Sequence, residues 1–284
     1  MKRFLSLLIL PLLLASCTEM VDPMTDVVGP ANVVYATVEG FDMPATKVYA
    51  DEDLKVLWNA DDRISVFDKT TYNYQYKFLG KDGDTAGEFE KQPVSGFITG
   101  GNIDHKYAVY PYVKGNKMNN KEEITVTLPA EQSYKEHSFG IGDNTMVSVS
   151  DDDFLSFKNV GGYLSLRLYG GVSVSKITLK GNNGEAIAGK AVITIAAGEA
   201  PVLKMDESAT TEISLVCNPA VVLGATADQY TDFWFVIPPV TFANGFQITV
   251  VDDQNKTFTK QTSKAFVVKR NQLDWMNALQ VVTE

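Results

Sequence analysis

The sequence predicts an all-β protein, and three observations carry that expectation. Apolar and polar residues alternate in stretch after stretch, as in Ile124-Thr125-Val126-Thr127-Leu128, Leu164-Ser165-Leu166-Arg167-Leu168 and Phe246-Gln247-Ile248-Thr249-Val250. Period two sets one row of side chains on one face of a sheet. Turn chemistry falls between such runs at Asp82-Gly83, Asn183-Gly184, Asn244-Gly245 and 252–255, and a spacing of about ten residues fits antiparallel sandwiches rather than parallel βαβ units. Past the N-terminus no convincing amphipathic helix occurs. The best candidate is the short stretch 273–279, far too little helix for a Rossmann or TIM-barrel enzyme.

The chain opens with Lys2 and Arg3 and an apolar run over 4–14. That run is shorter than the ~20 residues a membrane span requires and fits the apolar region of a secretory signal. Leu14-Ala15-Ser16-Cys17 follows and resembles the lipobox of bacterial lipoproteins. The resemblance implies a signal peptide over 1–16, cleavage before Cys17 and lipid on its thiol. Residues 17–31, with two prolines and a glycine but no periodicity, read as a lipidated tether. No second apolar stretch of spanning length follows, so the expected membrane attachment is through the lipid anchor only.

The body reads as strand after strand: 32–39, 63–67, the alternating Tyr72, Tyr74, Tyr76 and Phe78, then 94–99, 106–112, 124–128, 145–149, 164–168, 174–180, 190–195, 212–217, 231–237, 246–250 and 265–270. A length of 284 residues suggests about two domains. The acidic cluster Asp151-Asp152-Asp153, with Gly161-Gly162 soon after, places the boundary between an N-terminal β-sandwich over 32–153 and a C-terminal one over 154–284.

Composition removes much chemistry. Asp and Glu number 35 against 25 Lys and Arg, for a net charge of −10, which argues against nucleic acid as a partner, since phosphate binding runs on clustered cations. Two His and two Cys are too few for a closed zinc site or a disulfide framework. Cys217, in the strand-like Ile213-Ser214-Leu215-Val216-Cys217, reads as a small buried hydrophobe. His105 and His137 read as surface residues. No G-x-S-x-G elbow or P-loop occurs, and Gly140-Ile141-Gly142 meets Thr145 where a dinucleotide fingerprint needs glycine. The carboxylate clusters Asp51-Glu52-Asp53, Asp61-Asp62, 151–153 and Asp252-Asp253 fall at predicted turns, where Asp is favoured by local hydrogen bonding and solvation. That reading is preferred to a glycosidase pair or a calcium site, whose EF-hand spacing is missing. Tyr107-Ala108-Val109-Tyr110-Pro111-Tyr112 and Phe233-Trp234-Phe235 read as core aromatics, with sugar stacking as the alternative. No catalytic, metal-ligating or cofactor-binding residue is nominated, and no enzyme is expected.

Several motifs together resemble the fimbrillin family of Bacteroidetes: Trp58-Asn59-Ala60-Asp61-Asp62-Arg63-Ile64-Ser65-Val66-Phe67; Ala86-Gly87-Glu88-Phe89; the aromatic-proline strand 107–112; Leu128-Pro129-Ala130-Glu131-Gln132; Phe157-Lys158-Asn159-Val160-Gly161-Gly162-Tyr163-Leu164; Ile177-Thr178-Leu179-Lys180-Gly181; Phe235-Val236-Ile237-Pro238-Pro239; and Lys269-Arg270-Asn271. The resemblance covers nearly the whole mature chain. It implies two tandem transthyretin-like β-sandwich domains and an outer-membrane, surface-exposed lipoprotein that builds pili or acts as an adhesin. In assembling members of the family, proteolysis after an Arg removes the lipidated tail and first strand, and a strand of another subunit fills the groove. After Cys17 the arginines here are Arg63, Arg167 and Arg270. Arg63 lies inside a strand, so Lys47, in the loop after strand 32–39, is the candidate processing site. The tail after Arg270 is short for a long donor, although Leu273, Trp275, Leu279 and Val281 have pocket-filling chemistry, and a tip subunit or stand-alone adhesin fits as well as a stalk pilin. Asp84-Thr85-Ala86 matches the short O-glycosylation motif of that phylum, at Thr85. The expected partners are other fimbrillin-type subunits by strand addition, and a host or glycan ligand. The alternative function is a glycan-binding lipoprotein accessory to polysaccharide uptake.

Overall fold

The computed structural model describes residues 31–42, 55–96 and 98–284. Nearly all regular structure is β, as the alternation predicts. In chain order the strands are β1 Val33–Val38, β2 Arg63–Thr70, β3 Tyr74–Phe78, β4 Ala86–Lys91, β5 Asn102–Tyr110, β6 Lys117–Met118, β7 Ile124–Leu128 and β8 Glu131–Lys135. Then come β9 Ser138–Phe139, β10 Met146–Ser150, β11 Phe154–Asn159, β12 Gly162–Tyr169, β13 Ser173–Gly181, β14 Gly189–Thr194, β15 Val202–Met205 and β16 Glu212–Val222. The last are β17 Thr231–Ile237, β18 Val240–Phe242, β19 Phe246–Asp252, β20 Thr257–Gln261, β21 Phe266–Val268, β22 Leu273–Trp275 and β23 Leu279–Gln280. A three-residue 3-10 turn, Ala227–Gln229, precedes β17.

Seven strands close a barrel in the order β1-β11-β10-β5-β2-β3-β4. β1 is antiparallel to β4 and parallel to β11. The barrel takes in β11, whose residues the sequence assigns to the second half. The later strands stack two sheets, β17-β12-β22 with β23 alongside β12, and β20-β19-β13-β16-β8-β9. Their facing sides form the largest core, built on Leu164, Leu166, Ile177, Leu179, Leu215, Phe233, Phe235 and Val250. Strands also pair across the expected boundary: β7 with β14 antiparallel, and β8 with β16 parallel. A third cluster joins Phe67, Ile124 and Val147 to Ala191 and Ile193.

Two element expectations are corrected. The helical candidate 273–279 is β22, a break, and β23, both parallel to β12. Leu273 and Val281 bury their side chains at 0% and 1% exposure, so sheet pairing overrides a weak local preference. The predicted strand 94–99 has no strand among its described residues. Pro93 precedes it and Gly96 interrupts it, and neither suits a ladder. Two of the predicted turns close hairpins, Asp82-Gly83 between β3 and β4 and 253–255 between β19 and β20; Asn183-Gly184 and Asn244-Gly245 instead turn the chain between strands that pair elsewhere, β13 to β14 and β18 to β19.

Candidate functional site

The carboxylate clusters do not behave alike. Asp51-Glu52-Asp53 lies outside the described residues. Asp61 is exposed and pairs with Lys77 at 2.6 Å, which holds its carboxyl below the usual range. Asp62, read from sequence as a solvated turn, is 7% exposed. It accepts from the Asn59 N–H at 2.7 Å and the Tyr110 hydroxyl at 3.0 Å. Burial raises its pKa, and the hydrogen bonds only partly offset that. Asp62 therefore pins the turn before β2 to the end of β5. Asp252, also read as solvated, is 5% exposed and accepts from Gln254 N, Lys256 N and the Thr283 hydroxyl. Both corrections share one cause: an Asp that satisfies backbone donors in a turn can be covered by the next element. Asp151 faces His105, Asp152 caps its own turn, and Asp153 pairs with Lys106.

His105 stands half-exposed on β5 with Nδ1 2.7 Å from Asp151, which raises its pKa. His137 is exposed in the turn between β8 and β9. Cys217 is buried in β16, and burial pushes its thiol up to about 12, leaving no thiolate for attack. Among the described residues no group of three or more His, Cys, Asp or Glu is placed to hold a metal ion. The Gly140-Ile141-Gly142 stretch is a loop.

The feature with mechanical consequence is β1. Its buried side chains are Val34 and Ala36; Val33, Tyr35 and Thr37 face outward. Val34 lies opposite Phe89 on β4, and Ala36 lies between Gly87 on β4 and Leu155 on β11. Gly87 is fixed by the Phe78 ring, which a Cβ there would meet at 2.7 Å. Beneath β1 sits Trp58, at 1% exposure, with Phe89, Tyr110 and Phe157 edge-on to it at 5.0, 5.4 and 5.6 Å. β1 thus covers an aromatic floor with two small side chains while closing the barrel between β4 and β11. Past Val38 the chain leaves the barrel, and Glu39, Gly40 and Asp42 bond to residues near the C-terminus: Arg270 donates to the Glu39 carboxylate, Asn271 Nδ2 to Gly40 O at 2.7 Å, and Asp42 N to Asn271 O at 2.9 Å.

Cys17 and Lys47 lie outside the described residues. Thr85 is exposed at the bend before β4. Of the tail residues, Leu273, Leu279 and Val281 pack on the chain's own sheets, and Trp275 lies against Arg167 on the outer face of β12. There the Arg167 guanidinium lies over the Tyr230 ring at 4.7 Å and near the Trp275 ring at 5.9 Å, with Nε bonded to Asp232 at 3.2 Å. Asp232 also accepts from the Ser165 hydroxyl at 2.7 Å. Sequence reading missed this cluster because its members come from three strands distant in the chain. An apolar cavity of about 250 Å³ opens between the two stacked sheets, lined by Leu166, Leu168, Phe246, Ile248, Met276 and Leu279 among others.

No family profile matches the chain, and no curated protein does. Solved structures do show similarity. A candidate cell adhesion protein of Bacteroides ovatus shares 14% identity, covering 83% of this chain and 87% of that one, with a TM-score of 0.48. A candidate cell adhesion protein of Bacteroides uniformis shares 13%, covering 88% and 95%, with a TM-score of 0.43. The C-terminally truncated tip fimbrial protein Mfa3 of Porphyromonas gingivalis shares 10%, covering 81% of each chain, with a TM-score of 0.24.

Proposed function

We propose that this chain is a fimbrillin-like surface lipoprotein, a pilus or pilus-tip subunit or an adhesin, that works by β-strand addition. It would be anchored in the outer membrane through lipid on Cys17, released by cleavage near Lys47, and glycosylated at the exposed Thr85. The observation that carries the reading is the placement of β1. The first strand of the body closes the barrel with only Val34 and Ala36 buried, over a floor of Trp58, Phe89 and Phe157. Its departure would leave unpaired edges on β4 and β11 above an apolar groove. A strand from another subunit would satisfy both ladders and refill the groove, main-chain bonds giving affinity and alternate side chains giving fit. The ordered run of motifs through the sequence supports the same reading.

Mild trypsin treatment of the lipid-free Cys17→Ser protein tests it. The expected result is a ladder of multimers that resists denaturant on an unboiled gel, with new N-termini near Lys47. A protein that is cut at Lys47 and stays monomeric would count against assembly by strand exchange.

The Arg167 cluster favours a second reading, a glycan-binding surface. Tyr230 and Trp275 offer rings for a sugar face, and Asp232 and Arg167 offer polar partners beside them. Glycan-array binding abolished by Trp275→Ala would support it.

A further inference from the structure

The groove that β1 fills reads little of the strand inside it. Val34 and Ala36 recur at period two, and sliding a strand by two residues keeps the same faces in and out. Something else must set the register, and the segment after β1 has the chemistry to do so.

Glu39 accepts from Asn159 N at 2.5 Å and from Arg270 Nη1, which also donates to Asn159 O at 2.9 Å. Two residues on, Phe41 sets its ring edge-on to Tyr163 at 4.7 Å and to Trp234 at 6.4 Å, in a small cluster with Leu273. The socket that receives these two side chains is built rigidly from behind. Asn271 Oδ1 accepts from Asn159 Nδ2 at 2.7 Å, Asn159 Oδ1 from Asn144 Nδ2 at 2.7 Å, and Asn144 Oδ1 from the Tyr163 hydroxyl at 3.0 Å. All four residues are at most 1% exposed. Asn271 adopts φ +61°, a left-handed conformation that Asn tolerates, and its main chain and side chain both bond the incoming segment. Gly162 lets the backbone just before Arg270 and Asn271 lie against the start of β12: a Cβ there would stand 2.1 Å from Lys269 O.

If β1 left, Asn159 N–H, Arg270 Nη1 and Asn271 Nδ2 would each lose an acceptor in a buried or half-buried setting. Buried donors without acceptors are strongly disfavoured, so the vacated socket would select for what it lost. We infer that the Arg270–Asn159–Asn271 socket and the Tyr163–Trp234 notch form a register and specificity key: the strand of a second subunit that replaces β1 carries a carboxylate in the place of Glu39 and an aromatic ring in the place of Phe41. The partner strand then reads apolar-x-small-x-apolar-acid-x-aromatic, as Val34-Tyr35-Ala36-Thr37-Val38-Glu39-Gly40-Phe41 does. The inference rests on the strand-replacement reading and names what that strand must bring.

The experiment uses the full chain with residues 44–49 replaced by a site-specific protease sequence and nicked after folding. The nicked protein is challenged with excess fluorescent peptides spanning 31–42: the native sequence, Glu39→Gln, Phe41→Ala, and a peptide whose β1 residues are displaced by two relative to Glu39 and Phe41. Anisotropy reads entry. The native peptide should enter, each single variant should bind about tenfold more weakly, and the displaced peptide should lose more than either. An Arg270→Glu protein should reverse the preference toward a Glu39→Lys peptide. Equal binding of all the peptides would overturn the key while leaving strand replacement standing. Failure of the native peptide to enter would overturn strand replacement itself, and the key with it.

Discussion

At the scale of single residues, six of the motifs legible in the sequence meet in three pairs through polar clamps. Asp62, from the Trp58–Phe67 motif, accepts from Tyr110, in the aromatic-proline strand. Gln132, closing Leu128-Pro129-Ala130-Glu131-Gln132, donates to Val236 O at 2.7 Å and accepts from Val236 N at 3.0 Å, inside Phe235-Val236-Ile237-Pro238-Pro239. Asn271 N donates to Gly161 O at 2.7 Å, joining Lys269-Arg270-Asn271 to Asn159-Val160-Gly161. Asp143 belongs to the same class, although no motif marks it. It is 7% exposed and accepts from Ser133 N at 2.8 Å. Burial outweighs that bond and lifts its pKa to about 6. Because the folded value lies above the unfolded one, the folded state holds more protons between about pH 4 and 6, and stability falls as pH rises through that window. Asp143→Asn keeps an acceptor for Ser133 and removes the buried charge. Relative to the parent, the variant's Tm should climb between about pH 4 and 6 and stay higher above that. A difference in Tm that stays flat across that window would contradict the assignment.

At the scale of elements, legibility followed pattern strength and hydrogen-bond context. β7 and β19 alternate cleanly, β12 alternates over Leu164–Leu168, β13 alternates apart from a bulge at 174–176, and β17 shows as a continuous apolar run; all five are readable to within one or two residues. β6, β9, β22 and β23 are two or three residues long, too short to show a period, and exist only because a longer neighbour supplies partners. β15 and β20 bury no residue in either strand, so no apolar row announces them. The clamp at β8 is an element-scale device. β8 belongs to one of the stacked sheets through β16, and Gln132 reaches from it to the backbone of β17 in the other. The side chain behaves as a one-residue strand, satisfying both main-chain groups of Val236. Gln132→Ala leaves that N–H and C=O buried and unpaired, at a cost of about 2–6 kcal/mol, the range for two such groups. A drop in urea midpoint with unchanged m is expected; a change under about 0.5 kcal/mol, the level of a surface substitution, would show that water takes over both bonds.

At the scale of the whole molecule, the sequence suggests two halves meeting at 153/154, and the described body 31–284 is knit across that line. β7 pairs with β14 along Ile124–Leu128, and β8 with β16. Phe67, Ile124 and Val126 share a cluster with Ala191 and Ile193, and Glu39, Gly40 and Asp42 bond to Arg270 and Asn271. None of these contacts shows in local periodicity, which reports the face of each strand and not its neighbour. Such pairing couples the halves: neither core is complete unless the other is folded, so unfolding should be one cooperative event. The three tryptophans allow a direct check. Trp58 lies in the barrel core, and Trp234 and Trp275 lie on the sheet of β12. Two variants, one keeping Trp58 alone and one keeping Trp234 alone with Phe at the other positions, would each report one half in urea. Coincident midpoints, once corrected for the substitutions' own effects on stability, are the expected result. An earlier transition at Trp58 would mean that the barrel opens on its own while the later sheets hold. It would make release of β1 a local event, separable from the pairing of β7 with β14, and strand addition would then proceed without disturbing the outer face that carries Arg167, Tyr230 and Trp275.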